Sequence, residues 1–266
     1  MKSEEEYILS HMKKSANFEL EVRFICTHFN FDIFVDAGPN APFTEAWFVR
    51  QKKPGCHISG FEPHPDAFKK LCAYFYPGML YPRALSDSPG TIRGIYDQNH
   101  ELNFAKINNE TMAESVGITM DDLIEVETVS VDQVIEHTLP SSSTFVWADV
   151  EGSELDIIMG ARKSLEANKI CGFMLELNTS AEKKCGCYWK EAVQAVRDYG
   201  FSPIGLFNLQ PTHFDCIFAK FDGPVLWSDD ELSSMLDRLV EQYAQDASHV
   251  PMMHTIDHVR AGMSFL

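Results

Sequence analysis

Three short apolar runs, each closed by an acid, constrain this chain more than any other feature. They are Phe31-Asp-Ile-Phe-Val-Asp36, Ile58-Ser-Gly-Phe-Glu62 and Phe145-Val-Trp-Ala-Asp149. Runs of this length and composition fit strands buried on both faces of a parallel sheet. Each leads into a segment with helical spacing. Open α/β sheets bind ligands outside the carboxyl ends of their strands. Three acids at such ends therefore predict one crevice. Gly38, just beyond Asp36, supplies a backbone conformation that lets the chain approach a ligand closely.

The 266 residues suit one large domain or a domain with appendages, and 45% hydrophobic content is enough for a sizeable core. The net charge is -17, from 39 acids against 22 Lys plus Arg, which argues against a nucleic-acid partner. Seven cysteines, an odd number scattered through apolar segments, predict reduced thiols and a cytoplasmic setting. The start Met1-Lys-Ser-Glu-Glu-Glu leads to no apolar region, so no secretory signal is expected. No stretch approaches the roughly 20 apolar residues that a membrane span requires.

Along the chain, residues 1–30 read as a helical cap, 31–221 as the main domain and 222–266 as a helical extension. Strands are expected at 31–36, 57–62, 79–85, 144–149 and 171–177, with helices at 43–53, 65–76, 131–138, 153–168 and 188–199. Thr91–Tyr96 and Glu125–Val131 alternate like antiparallel or edge strands, and the polar stretch 97–122 between them reads as a lid or substrate loop. Strands 201–208 and 213–220 form a terminal hairpin around Gln210-Pro-Thr, and a helix is expected at about 228–246. The predicted fold is α/β: a doubly wound, Rossmann-like, mostly parallel sheet with a terminal antiparallel hairpin.

Glu62 lies 26 residues beyond Asp36, where an acid in a βαβ unit can accept both ribose hydroxyls of an adenosine-type cofactor. An NAD enzyme would carry Gly-x-Gly-x-x-Gly. Here one glycine is followed by Pro39 and Pro42, which suits a ligand without a pyrophosphate, such as S-adenosylmethionine.

Val35-Asp-Ala-Gly-Pro-Asn40, Phe61-Glu-Pro-His-Pro65 and Ala148-Asp-Val-Glu-Gly-Ser-Glu154, the last followed by Gly160-Ala161, resemble the FkbM family of class I, S-adenosylmethionine-dependent methyltransferases. The resemblance covers about 31–220. It implies methyl transfer, usually to a hydroxyl oxygen of a natural product, sugar or lipid-like acceptor. By position it implies that Asp36, Gly38 and Asn40 line the methionine moiety and that Glu62 holds the ribose. Ser86 and Asp87 would lie near the adenine, and Asp149 would face the sulfonium and the acceptor. The late glycine of the first motif is replaced around Ala41-Pro42, and Trp147 or Ala148 stands where the family has a lysine.

Each candidate also has a plainer role. Asp149, Glu151 and Glu154 would serve as acids at the start of a helix. The resemblance demands no metal, and none is assigned. Asp149 with Glu176 and Asn178 would nevertheless form an oxygen-rich set of the kind Mg²⁺ prefers. Cys185, Cys187, His213 and Cys216 match no familiar zinc spacing. The expected partner is a small-molecule or glycan acceptor, with oligomeric state open. The rival reading is a binding or scaffold protein that keeps the fold without turnover.

Overall fold

The computed structural model describes residues 19–39, 45–96, 104–107, 119–136, 141–179, 189–209 and 213–220, with short pieces at 228, 230–231, 233–234 and 252–255. Helix α1 spans 19–28, and strand β1 is Ile33–Ala37. Helix α2 (Glu45–Lys52), β2 (His57–Phe61), α3 (Pro65–Ala73) and β3 (Met79–Tyr81) follow. After β4 (Ala84–Leu85) come β5 (Gly90–Tyr96), β6 (Phe104–Lys106) and β7 (Ile124–Val129). Next are α4 (Val131–Glu136), β8 (Thr144–Ala148), α5 (Glu154–Gly160), α6 (Arg162–Glu166) and β9 (Ile170–Asn178). The last elements are α7 (Trp189–Arg197), β10 (Phe201–Leu209), β11 (His213–Lys220) and β12 (Met252–Thr255).

The main sheet has the order β12-β10-β11-β9-β8-β1-β2-β3. From β3 to β9 the strands are parallel, whereas β11 is antiparallel to both β9 and β10. The chain builds outward from β1 in one direction and from β8 in the other. Such a reversal opens a crevice at the carboxyl ends of the two central strands. This is the doubly wound, mostly parallel α/β sheet with an antiparallel terminal hairpin that the sequence predicts.

Alternation along the strands divides the core. One face carries Phe34, Phe145, Trp147, Met174 and Ile217 under Val22 and Ile25 of α1 and Ala46 and Val49 of α2. The other carries Val35, Val146, Phe173 and Leu175 under α4, α5, α6 and α7, with Trp189 the largest plug. Burying one such aliphatic side chain is worth about 1.5–3 kcal/mol, so both helical layers are bound mainly by apolar area. Arg50 of α2 adds a polar tie: its guanidinium donates to Pro54 O, Cys56 O and Pro77 O and so joins the segment that leads into β2 to the one that leads into β3.

Several expectations are modified. The run 79–85 divides at Pro82-Arg83: β3 stays in the main sheet, while β4 joins a second sheet of order β4-β7-β5-β6. Proline there has no N–H to continue a ladder. The segments 91–96 and 125–131, expected as antiparallel or edge strands, are β5 and β7, and they pair with each other antiparallel in register Gly90↔Thr128 to Gly94↔Ile124. Helix 153–168 breaks at Ala161 into α5 and α6. Residues 252–255, expected within a helical extension, are instead the strand β12 on β10. An unpaired strand edge attracts such a partner even where the local pattern is weak. Most of 97–122 and of 228–246 lies outside the described residues.

Gly160 closes α5 against the turn after β4. A Cβ there would stand 2.1 Å from the backbone oxygen of Ser86. Gly160→Ala is expected to lower stability by about 1–3 kcal/mol, the cost of overpacking a tight contact. Denaturant unfolding of the two proteins measures this, and equal midpoints would show that the contact relaxes without cost.

Candidate functional site

The turn after β1 is shaped by close backbone approach. Gly38 has φ +82, and a Cβ on it would lie 2.0 Å from Asp149 O. Its N–H donates to Phe61 O at 3.0 Å, and Asp149 N–H donates to Ala37 O at 3.1 Å. The ends of β1, β2 and β8 are thus laced together around a residue that only glycine fills without strain.

Register then places the acids. One residue beyond the Ala148↔Leu175 pair come Asp149 and Glu176, and Glu176 stands opposite Asp215 on β11. Asp36, Asp149, Glu176 and Asp215 each follow by two, or precede by two, a residue of the α1/α2-covered face: Phe34, Trp147, Met174 and Ile217. Period-two alternation puts all four carboxyls on that face. The covering helices contribute two more: Glu21 from α1 and Glu45 from the first turn of α2, both buried.

These groups repel one another in a poorly solvated place, and their affinities for protons show it. Burial holds Asp149 well above the usual carboxylate range, and Glu176, Glu151 and Glu154 add to the effect. Asp149 keeps some exposure at the surface, but the packed acids around it leave little water to stabilise its charge. It hydrogen-bonds Glu176. Burial raises Glu21 to about 8, with Asp149 adding to it and a hydrogen bond with Asp215 opposing it. Asp215 is raised by burial, then by Glu21 and Asp149, and is partly relieved by Asn208. Asp36 is raised to about 6 by burial, opposed by hydrogen bonds from Glu45 and Tyr76. Tyr76 donates to Asp36 Oδ2 at 2.5 Å. Glu45 is raised well above the ordinary range by burial and then by Asp36, so Glu45 carries the proton in that pair.

The loop after β8 is itself strained. Glu151 adopts φ +54 and Gly152 φ +97. Glu154, 1% exposed, accepts the Gly152 N–H at 3.1 Å through Oε1, while its Oε2 is buried without a hydrogen-bond partner. Burial raises Glu154 to about 7, and backbone N–H bonds hold it from rising further.

Among the sequence candidates, Asp36, Gly38 and Asp149 meet at the β1–β8 junction. Glu62 is buried at the end of β2 and accepts the His64 N–H at 2.7 Å through Oε1. Ser86 is buried, and its hydroxyl donates to exposed Asp87 at 3.2 Å. Asn40, Cys185 and Cys187 lie outside the described residues. The zinc grouping does not assemble on β11: His213 and Cys216 are three apart on a strand, so they point to opposite faces. Asp149 and Glu176 do come together, with Glu151 as the third acid. Glu21, Glu45, Tyr76 and Asp215 were missed. Glu21 shares a helical face with Ile25 and Phe29, and Asp215 interrupts the apolar Phe214–Phe218 run. A charge placed inside an apolar pattern is the signal that marks both.

An acid whose pKa is higher in the fold than in the unfolded chain stabilises below the unfolded value, and that stability is lost as pH rises through the folded one. For Glu21 the window runs from 4.5 to about 8. Thermal stability in a chelating buffer is therefore expected to fall across this window, and to fall less in Glu21→Gln. Parallel melting curves against pH would contradict the assigned burial of Glu21.

A search of curated proteins finds no match for this chain. Solved structures similar to it include precorrin-6y C5,15-methyltransferase from Geobacter metallireducens, at 11% identity over 77% of this chain and 86% of that one, with TM-score 0.38. A TehB-like SAM-dependent methyltransferase from Corynebacterium glutamicum is 9% identical over 82% and 97%, with TM-score 0.41. The N-terminal domain of human METTL16, in complex with SAH, is 13% identical over 78% and 70%, with TM-score 0.40. No helix among the described residues is long and apolar enough to cross a membrane. The Methyltransferase FkbM domain matches residues 34–203, more than half of the chain, and the protein belongs to the FkbM family of S-adenosylmethionine-dependent methyltransferases.

Proposed function

We propose that this methyltransferase acts on a hydroxyl oxygen of a small molecule, sugar or natural product, with Asp149 at the reacting centre. The observation that carries this reading is the hydrogen-bonded Asp149–Glu176 pair at the carboxyl ends of the two strands beside the crevice. An alcohol is a weak nucleophile and must give up its proton as it attacks. A carboxyl pair that shares one proton keeps one negative charge to receive another. The cofactor supplies an electrophilic methyl group. The protein's part is to hold the acceptor in line, exclude water and take the proton.

The residues present fit such a cofactor. Asp36 Oδ1 is a buried carboxylate oxygen without a hydrogen-bond partner, suited to a cationic ligand group. In this reading Asp36, Gly38 and Asn40 line the methionine portion, Glu62 holds the ribose and Ser86 with Asp87 flanks the adenine. The surrounding acids disfavour an anionic acceptor. Cys26, Cys56, Cys72, Cys171 and Cys216 are free, in keeping with the cytoplasmic setting read from the sequence.

The test is transfer of labelled methyl from S-adenosylmethionine to a panel of hydroxyl and amine acceptors. Asp149→Asn is expected to lower kcat by about 10²-fold or more while S-adenosylhomocysteine affinity changes only a few-fold. The opposite order of effects would move Asp149 from acceptor chemistry to cofactor binding. Transfer to amines alone would overturn the oxygen assignment.

A further inference from the structure

We infer that Tyr76 is a positioning residue for the cofactor, holding Asp36 as the fixed negative charge that meets the ammonium group of the methionine end. This deepens the proposed function and rests on its placement of Asp36 beside that portion of the cofactor. Tyr76 comes from the turn after α3, on the way to β3. Asp36 of β1 pairs with Gly60 of β2, and Gly60 pairs with Leu80 of β3. The Tyr76 side chain therefore crosses β2 to donate to Asp36 Oδ2 at 2.5 Å. It passes over Gly60, where a Cβ would stand 2.6 Å from both the ring Cζ and the hydroxyl of Tyr76.

The backbone on both sides of Tyr76 is held in place. Phe75 takes φ +57 with its own ring 81% exposed, and the Tyr76 N–H donates to Leu71 O. A bulky residue at positive φ is strained and persists only where its surroundings hold it. Arg50 secures the next residue, donating to Pro77 O through Nε at 3.2 Å and Nη2 at 2.9 Å. Burial, and then Asp36, keep the Tyr76 phenol well above its usual range, so it stays a proton donor. Glu45 hydrogen-bonds the same carboxyl and carries the proton of that pair. Two donors thus keep the charge on Asp36, whose Oδ1 is buried with no hydrogen-bond partner. A buried carboxylate oxygen of this kind is costly unless a positive group meets it.

The experiment is calorimetric titration of the natural chain and Tyr76→Phe with two ligands, each protein checked for folding by circular dichroism. S-adenosylhomocysteine carries the amino-acid end, and 5′-methylthioadenosine lacks it. Phenylalanine keeps the ring over Gly60 and removes only the hydroxyl. Tyr76→Phe is expected to weaken S-adenosylhomocysteine by about tenfold or more, the loss of a hydrogen bond to a charged group, and to leave 5′-methylthioadenosine little changed. In an Asp36→Asn background the same substitution should add no further loss, because Tyr76 acts through Asp36. Unchanged S-adenosylhomocysteine affinity, equal weakening of both ligands, or a full additional loss beside Asp36→Asn would each overturn the role of Tyr76 and leave the crevice standing. No binding of either ligand to the natural chain would overturn the crevice and this role with it.

Discussion

Asp149 sits where like charges converge, and much of the structure follows from keeping them together. Its own strand, the neighbouring β9 and β11, and helices α1 and α2 each bring a carboxyl to one face of one sheet end. Such a gathering is unfavourable in a medium that solvates charge poorly. It persists because the apolar layers beneath it are extensive: Phe34, Trp147, Met174 and Ile217 lie on that same face under Val22, Ile25 and Val49. Protons held on Glu45, Asp149 and Asp215 relieve what the packing imposes.

The crevice depends equally on backbone contact. Gly38 lies against Asp149 O, and Gly160 against Ser86 O. These two points lock the turn after β1 to the end of β8 and the turn after β4 to α5. The acids therefore stand on strand ends and short, bonded turns rather than on free loops, which is how a precise constellation is held. Glu21 and Asp215 both lie outside residues 34–203. The family domain accordingly has its acidic face completed by α1 and β11.

Much of this was legible in the residues. Apolar runs ending at Asp36, Glu62 and Asp149 identified parallel strands because both faces of those strands are buried, which makes the run continuous. Gln210-Pro-Thr separated two apolar runs that do pair as β10 and β11. What escaped notice is non-local. Pro82-Arg83 marks a change of sheet that only the position of β7 explains. The strand β12 owes its form to the open edge of β10 rather than to its own pattern. Glu21 is 128 positions before Asp149, and no spacing rule joins a helix to a strand end that far away.

The central claim is that the ends of β1, β2 and β8 form a crevice for S-adenosylmethionine, with Glu62 as its ribose ligand. Calorimetric titration with S-adenosylhomocysteine tests it most directly, using the natural chain and Glu62→Ala, each checked for folding by circular dichroism. The account predicts one saturable site in the natural protein and none in the folded variant. Unchanged affinity in a folded Glu62→Ala protein, or no binding to the natural chain, would contradict it.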